Sequence, residues 1–169
     1  MDDKTKLIKM LLKSLAGSFD VVEDYEYCGQ VFPGYGEFHE SGSKYVLSKK
    51  AELWKVEADE HMFFQTFENL DVDALNDELE FMKEKGFEKV NARPDHMSTA
   101  ITIVCVCDNA DDEAKKAAKH AKHRKNYKLS FWGWADLRVV VVDLANKDVV
   151  TNAFAKHLAK FVKPNLELL

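Results

Sequence analysis

Three cysteines, three prolines and seven glycines in 169 residues leave little with which to build a disulfide scaffold or a flexible linker. Three thiols cannot all pair within one chain. Cys105 and Cys107 stand two apart in an apolar strand pattern, where they share a face without the geometry of a relaxed disulfide. Reduced thiols and a cytoplasmic location are the expectation. No apolar run approaches the ~18–20 residues that cross a bilayer, and the first residues lack the apolar core of a signal peptide, so no membrane partner is expected. The chain also lacks a Walker loop, a dinucleotide fingerprint, a Gly-x-Ser-x-Gly elbow and paired Cys-x-x-Cys motifs, which removes the most recognisable nucleotide, hydrolase and zinc chemistries.

What the chain has is bulk. Hydrophobic residues make up 46% of it and include eleven phenylalanines and three tryptophans. That composition fits one globular domain over residues 1–169. The net charge of −5 is unevenly spread. Residues 51–110 hold fourteen acidic and five basic side chains, whereas residues 111–169 hold seven acidic and twelve basic ones. Overall acidity argues against a protein that coats nucleic acid, but it leaves room for a local basic patch.

Leu7, Ile8, Leu11, Leu12 and Leu15 recur at helical spacing and predict a helix over about 4–16 that docks on the core. Residues 26–43 hold four glycines and a proline among Tyr27, Phe32, Tyr35 and Phe38, and read as an irregular aromatic loop, a candidate lid over a small-molecule pocket. From Lys44 to Phe67 the pattern is of strands, with a hairpin turn at Ala58-Asp59-Glu60. A helix follows, capped by Asp71 or Asp73, with Val72, Leu75, Leu79 and Met82 on its buried face and Gly86 closing it. The stretches 99–107 and 136–144 are nearly continuous apolar runs, the mark of strands covered on both faces. A last helix from Thr151 to Lys163 is stopped by Pro164. The fold class is α/β, with α+β the alternative: a layered sandwich whose mixed sheet is centred on those two runs, with helices packed on it.

KKAAKHAKHRKNYK, from Lys115 to Lys128, lies where a helical crossover between the two central strands belongs. Ala114, Ala117, Ala118 and Ala121 form a stripe of small residues that lets a helix lie close on the sheet. Lysines then fill the outer face as a consequence of packing alone. The functional counterpart aligns Lys115, Lys119, Lys122 and His123 with Arg124 beside them, and adds Trp132 and Trp134 as stacking partners for a polyanion.

Carboxylates and histidines form three groupings. Glu57, Asp59, Glu60 and His61 sit at the expected turn, where solubility explains them as well as a metal does. Asp95 and His96 adjoin a strand but point to opposite faces of it if both are extended. Asp108 and Asp143 end the two central strands, where open α/β sheets place their ligands; they are the best-placed pair for a divalent metal, although a helix cap explains Asp108. Glu52 and Lys55 have the wrong spacing for a nuclease strand, and His120 with His123 lack further zinc ligands. The leading expectation is a non-catalytic binding or interaction module without a cofactor. Its partner is another protein, a second copy or an anionic ligand, with nucleic acid not favoured. Trp54, Phe63, Phe64, Trp132 and Trp134 are candidate interface aromatics. The alternative is a metal-dependent hydrolase or nuclease that uses Asp108, Asp143 and the lysines of the basic helix.

Overall fold

The computed structural model describes residues 1–39 and 59–169. Among them, a seven-stranded mixed sheet runs in the order β1 (Asp20–Tyr27), β2 (Gln30–His39), β3 (Asp59–Leu70), β4 (Ser98–Ala110), β6 (Trp134–Asp143), β5 (Arg124–Asn126), and β7 (Asp148–Thr151) also pairs with β6. The sheet is open. β3, β4 and β6 are mutually parallel, whereas β1, β2, β5 and β7 pair antiparallel. The two apolar runs of the sequence are thus adjacent central strands, with Cys107 opposite Asp143.

Alternation along β4 sorts the core. Ile101, Ile103, Cys105 and Cys107 face one side with Leu137, Val139 and Val141 of β6; Val104 and Val106 face the other with Val140 and Val142. Helices α1 (Asp3–Leu15) and α4 (Ala159–Glu167) cover the second side, while α2 (Val72–Glu84) and α3 (Asp112–His120) cover the first. All five apolar residues of the α1 stripe are buried, and the Asp2 side chain caps that helix by accepting from the Thr5 N–H. Asp71 caps α2 in the same way through the Ala74 N–H, and Leu75, Leu79 and Met82 are buried beneath it.

Three expectations give way. Residues 26–39 are no loop: the β1–β2 hairpin runs through them, turning at Cys28 (φ 50°) and Gly29 (φ 79°). Glycine serves close packing in β2, since a Cβ on Gly34 would lie 2.9 Å from Ile8 Cγ2 of α1. A lid reading of this segment therefore has no support over residues 26–39. Asp59 and Glu60 belong to β3 rather than to a turn. The final α-helix starts later than expected, after a 3₁₀ turn over Ala153–Leu158, and continues past an exposed Pro164. The strands expected within Lys44–Ala58, with Glu52, Trp54, Lys55 and Glu57, lie outside the described residues.

The edge of β6 is shared. β5 pairs with residues 134–136 and β7 with residues 140–143. Between them Asn152, fully buried, acts as a surrogate strand. Its side-chain oxygen accepts from the Val139 N–H at 3.0 Å, and its amide donates to the carbonyls of Leu137 (2.8 Å) and Ala121 (3.1 Å).

Candidate functional site

The basic stretch is divided between elements. α3 ends at His120, and Arg124 begins β5. Tertiary bonds outweigh the helical continuation: Ala121 O is held by Asn152, the Leu137 N–H donates to His123 O, and Arg124 makes a bidentate pair with Asp136. Lys115 turns back onto Asp143 (2.7 Å) and Asp148 (3.3 Å). Lys119 and Lys122 are exposed, one on the helix and one beyond its end. Arg124 also lies over the rings of Trp134 and Phe154. The expected continuous row of cations along one helix face is therefore not formed.

Asp108 and Asp143 project to opposite sides of the sheet, because Asp143 aligns with Cys107 on the α2–α3 side and Asp108 follows one residue later. Asp108 pairs with Lys4 of α1. Asp143, fully buried, is held by Lys115 and by the backbone and side-chain amides of Asn146. Burial opposes its charged form, yet these donors keep its carboxyl below the usual carboxylate range. Each acid is already engaged by its own ammonium group, and the pair is not brought together. Among the described residues, no group of three or more His, Cys, Asp or Glu side chains is arranged to hold a metal ion.

A different feature stands at the opposite end of the central strands. The tip between β5 and β6 places Lys128, Leu129 and Ser130 in succession at φ 49°, 54° and 73°, followed by Gly133 at 76°. Such backbone is strained for side chains with a Cβ and persists only where its surroundings fix it. Here they do. Phe131 and Gly133 donate their N–H groups to Lys128 O and Ser130 O, Trp132 donates to Tyr127 O, and Tyr127 donates to Gly133 O. Below the tip His96 is buried; its Nδ1–H donates to Trp132 O at 2.6 Å and its Nε2 accepts from the Thr99 hydroxyl. The neighbouring Asp95 bonds Arg93. Met97 is so close that a Cβ on Gly133 would sit 2.0 Å from its carbonyl oxygen.

This rigid tip holds up apolar side chains. Leu129 is 91% exposed, Phe131 80% and Met97 66%. Lys128 lies over the Trp132 ring, and residues 121–134 include Lys122, Arg124, Lys125 and Lys128 but only cations among their charges. Phe63 and Phe64, by contrast, are core residues with no exposure.

A family model matches almost the whole chain, residues 3–164. The chain belongs to the family described as Domain of unknown function (DUF8052). No curated protein and no solved structure matches it. The family description names no activity, so what the site can do follows from its side chains.

Those side chains include a polar cluster that joins His61 to Tyr35 and Tyr27 of the expected aromatic loop, and adds Tyr25, Glu37 and Lys89, which the sequence did not single out. Tyr35 and His61 are diagonal neighbours across β2 and β3, where Glu37 stands opposite His61 and Phe63 opposite Tyr35. The Tyr35 hydroxyl lies 2.7 Å from His61 Nδ1 and 3.1 Å from Glu37 Oε2. A carboxylate only accepts, so the hydroxyl donates to Glu37 and the ring donates to the hydroxyl, which places a proton on His61 Nδ1. Burial, then the positive charges of Lys89 and His39, hold its pKa down to about 4. Lys89 donates to the Tyr25 hydroxyl and lies near the rings of Tyr25, Tyr27 and Tyr35. Alternation of acids and aromatics at Asp24, Tyr25, Glu26 and Tyr27 was the available strand signal, masked by the glycines that follow.

The cluster sets a pH response. Unfolded chain binds a proton at His61 near pH 6.5, whereas the folded chain resists protonation down to about 4. Stability is therefore fully present above pH 6.5 and falls as the pH drops toward 4, by about 3 kcal/mol from this residue. Urea midpoints measured across that window should fall more steeply for the parent chain than for His61→Gln; equal slopes would contradict the assignment.

Proposed function

We propose that this protein is a non-catalytic binding module whose docking face is the β5–β6 tip, and that its partner is negatively charged with an apolar spot. The observation behind this reading is the near-complete exposure of Leu129 and Phe131 on a backbone whose strained conformation is fixed by hydrogen bonds. Exposed aromatic and aliphatic anchors on a rigid mount lose little entropy on binding, and the neighbouring Lys125 and Lys128, over the Tyr127 and Trp132 rings, favour an acidic partner. Trp132 and Arg124, two of the candidate ligand contacts, belong to the β5–β6 segment that carries the tip. A reducing cytoplasm suits the three free thiols, of which Cys28 is exposed.

Anisotropy titrations with a labelled acidic peptide, single- and double-stranded DNA and RNA, and vesicles containing phosphatidylserine test the reading, each repeated with magnesium or manganese. Binding to one probe class should weaken about 30-fold in Leu129→Ser/Phe131→Ser, the effect of losing a central anchor. Tip-independent binding, or turnover of a nucleic acid by the metal-supplemented protein, would overturn it.

A further inference from the structure

Two surfaces of this chain complement each other. Apart from Met1 and Leu168 near the ends, the exposed large apolar side chains among the described residues are Val22, Val31, Met97, Leu129 and Phe131. They fall into two places. Met97, Leu129 and Phe131 belong to the basic tip, whereas Val22 and Val31 belong to the β1–β2 ribbon. There Asp20, Glu23, Asp24 and Glu26 are all exposed, and residues 20–27 contain no cation. Only Glu23 of the four carries an ion pair, to Lys9, among the described residues.

The two places stand at opposite ends of the sheet. β1 and β5 are the first and last strands of its main order, separated by five inter-strand steps or about 24 Å. One copy cannot satisfy its own tip with its own edge. β1 is also an open edge, with backbone groups on its outer side that no strand of the described residues covers.

We infer that the partner of the tip is a second copy of this chain, whose acidic β1 edge receives the cationic, apolar β5–β6 tip. This rests on the tip being the docking face. The contact joins unlike surfaces, so every bound pair leaves one free tip and one free edge, and association continues into chains or a closed ring. Acids along β1 prevent two edges from pairing with each other, and the cations of the tip prevent two tips from meeting. Both patches are small, which places the dissociation constant between about 10 µM and about 1 mM.

Sedimentation of the full chain over that concentration range tests the inference. Average mass should rise with concentration, and the rise should shrink at high salt. Two variants isolate the halves: Leu129→Ser/Phe131→Ser removes the tip and Glu23→Lys/Glu26→Lys reverses the edge, each checked for an unchanged melting curve. Each variant alone should remain monomeric. Mixed in equal amounts, they should form a species of two chains and no larger, because one supplies the only intact tip and the other the only intact edge. A parent chain that stays monomeric throughout, or a mixture no heavier than its components, overturns the inference. If the monomeric parent still shows tip-dependent binding of the acidic peptide or the vesicles, the docking face stands and only its partner was misassigned. If neither appears, both fall.

Discussion

Replacing Lys115 by alanine should lower the stability of the folded chain by about 3–5 kcal/mol, the cost of leaving a buried charge without its partner. The Asp143 side chain has no exposure, and that of Lys115 has 16%. Without the ammonium group, Asp143 keeps only the Asn146 amides. Chemical denaturation at pH 7 measures the loss, and a change below about 1 kcal/mol would show that water enters to replace the lysine.

The pH dependence provides a sharper check. In the parent chain the Asp143 pKa lies below its ordinary value, so its contribution is present above the unfolded pKa and is lost as acid protonates the folded form. In Lys115→Ala, burial dominates and pushes the same pKa upward. The sign then reverses: the folded state takes up the proton first, and the deficit against the parent shrinks as pH falls. Adding Asp143→Asn to Lys115→Ala should recover much of the loss at neutral pH, since the amide oxygen can still accept from the Asn146 N–H.

The same ion pair shows how far sequence carries. Asp143 and Asp108 were legible as strand-end acids because 99–107 and 136–144 are apolar enough to announce two-sided burial. Which side each acid takes depends on register, and one residue of register reverses it. A shared metal site therefore looked reasonable in one dimension, while the folded chain gives each acid a lysine from a different helix. α1 and α2 were read nearly in full, for their stripes and caps are local. The β1–β2 hairpin was hidden for the opposite reason: Gly34 is selected by the approach of Ile8, a contact between distant parts of the chain. The tip was partly visible, in Trp132 and Trp134. Exposure of Leu129 and Phe131 was not, because apolar residues beside a strand look like core until the backbone turns them outward.

Asn152 has the least sequence signal of the residues that hold the fold. Between β5 and β7 the edge of β6 would otherwise present a bare N–H at Val139 and a bare carbonyl at Leu137 inside the protein. Asn152→Ala removes three hydrogen bonds and leaves those groups, with Ala121 O, to find water or remain unpaired. An expected loss of about 4 kcal/mol follows from roughly 1–3 kcal/mol per buried orphan. Asn152→Asp should be worse at neutral pH despite its near-identical shape, because a carboxylate can accept from Val139 but cannot donate to two carbonyls, and it is itself charged in a buried place. Amide exchange separates this from a general weakening: the Val139 and Leu137 amides should lose protection far more than that of Val104 on the neighbouring strand. Equal losses at all three would mean that Asn152 acts through packing alone. The tip is mounted on β5 and β6, whose junction Asn152 holds through Ala121 and Leu137, so the exchange at Leu137 also reports how firmly the docking face is held.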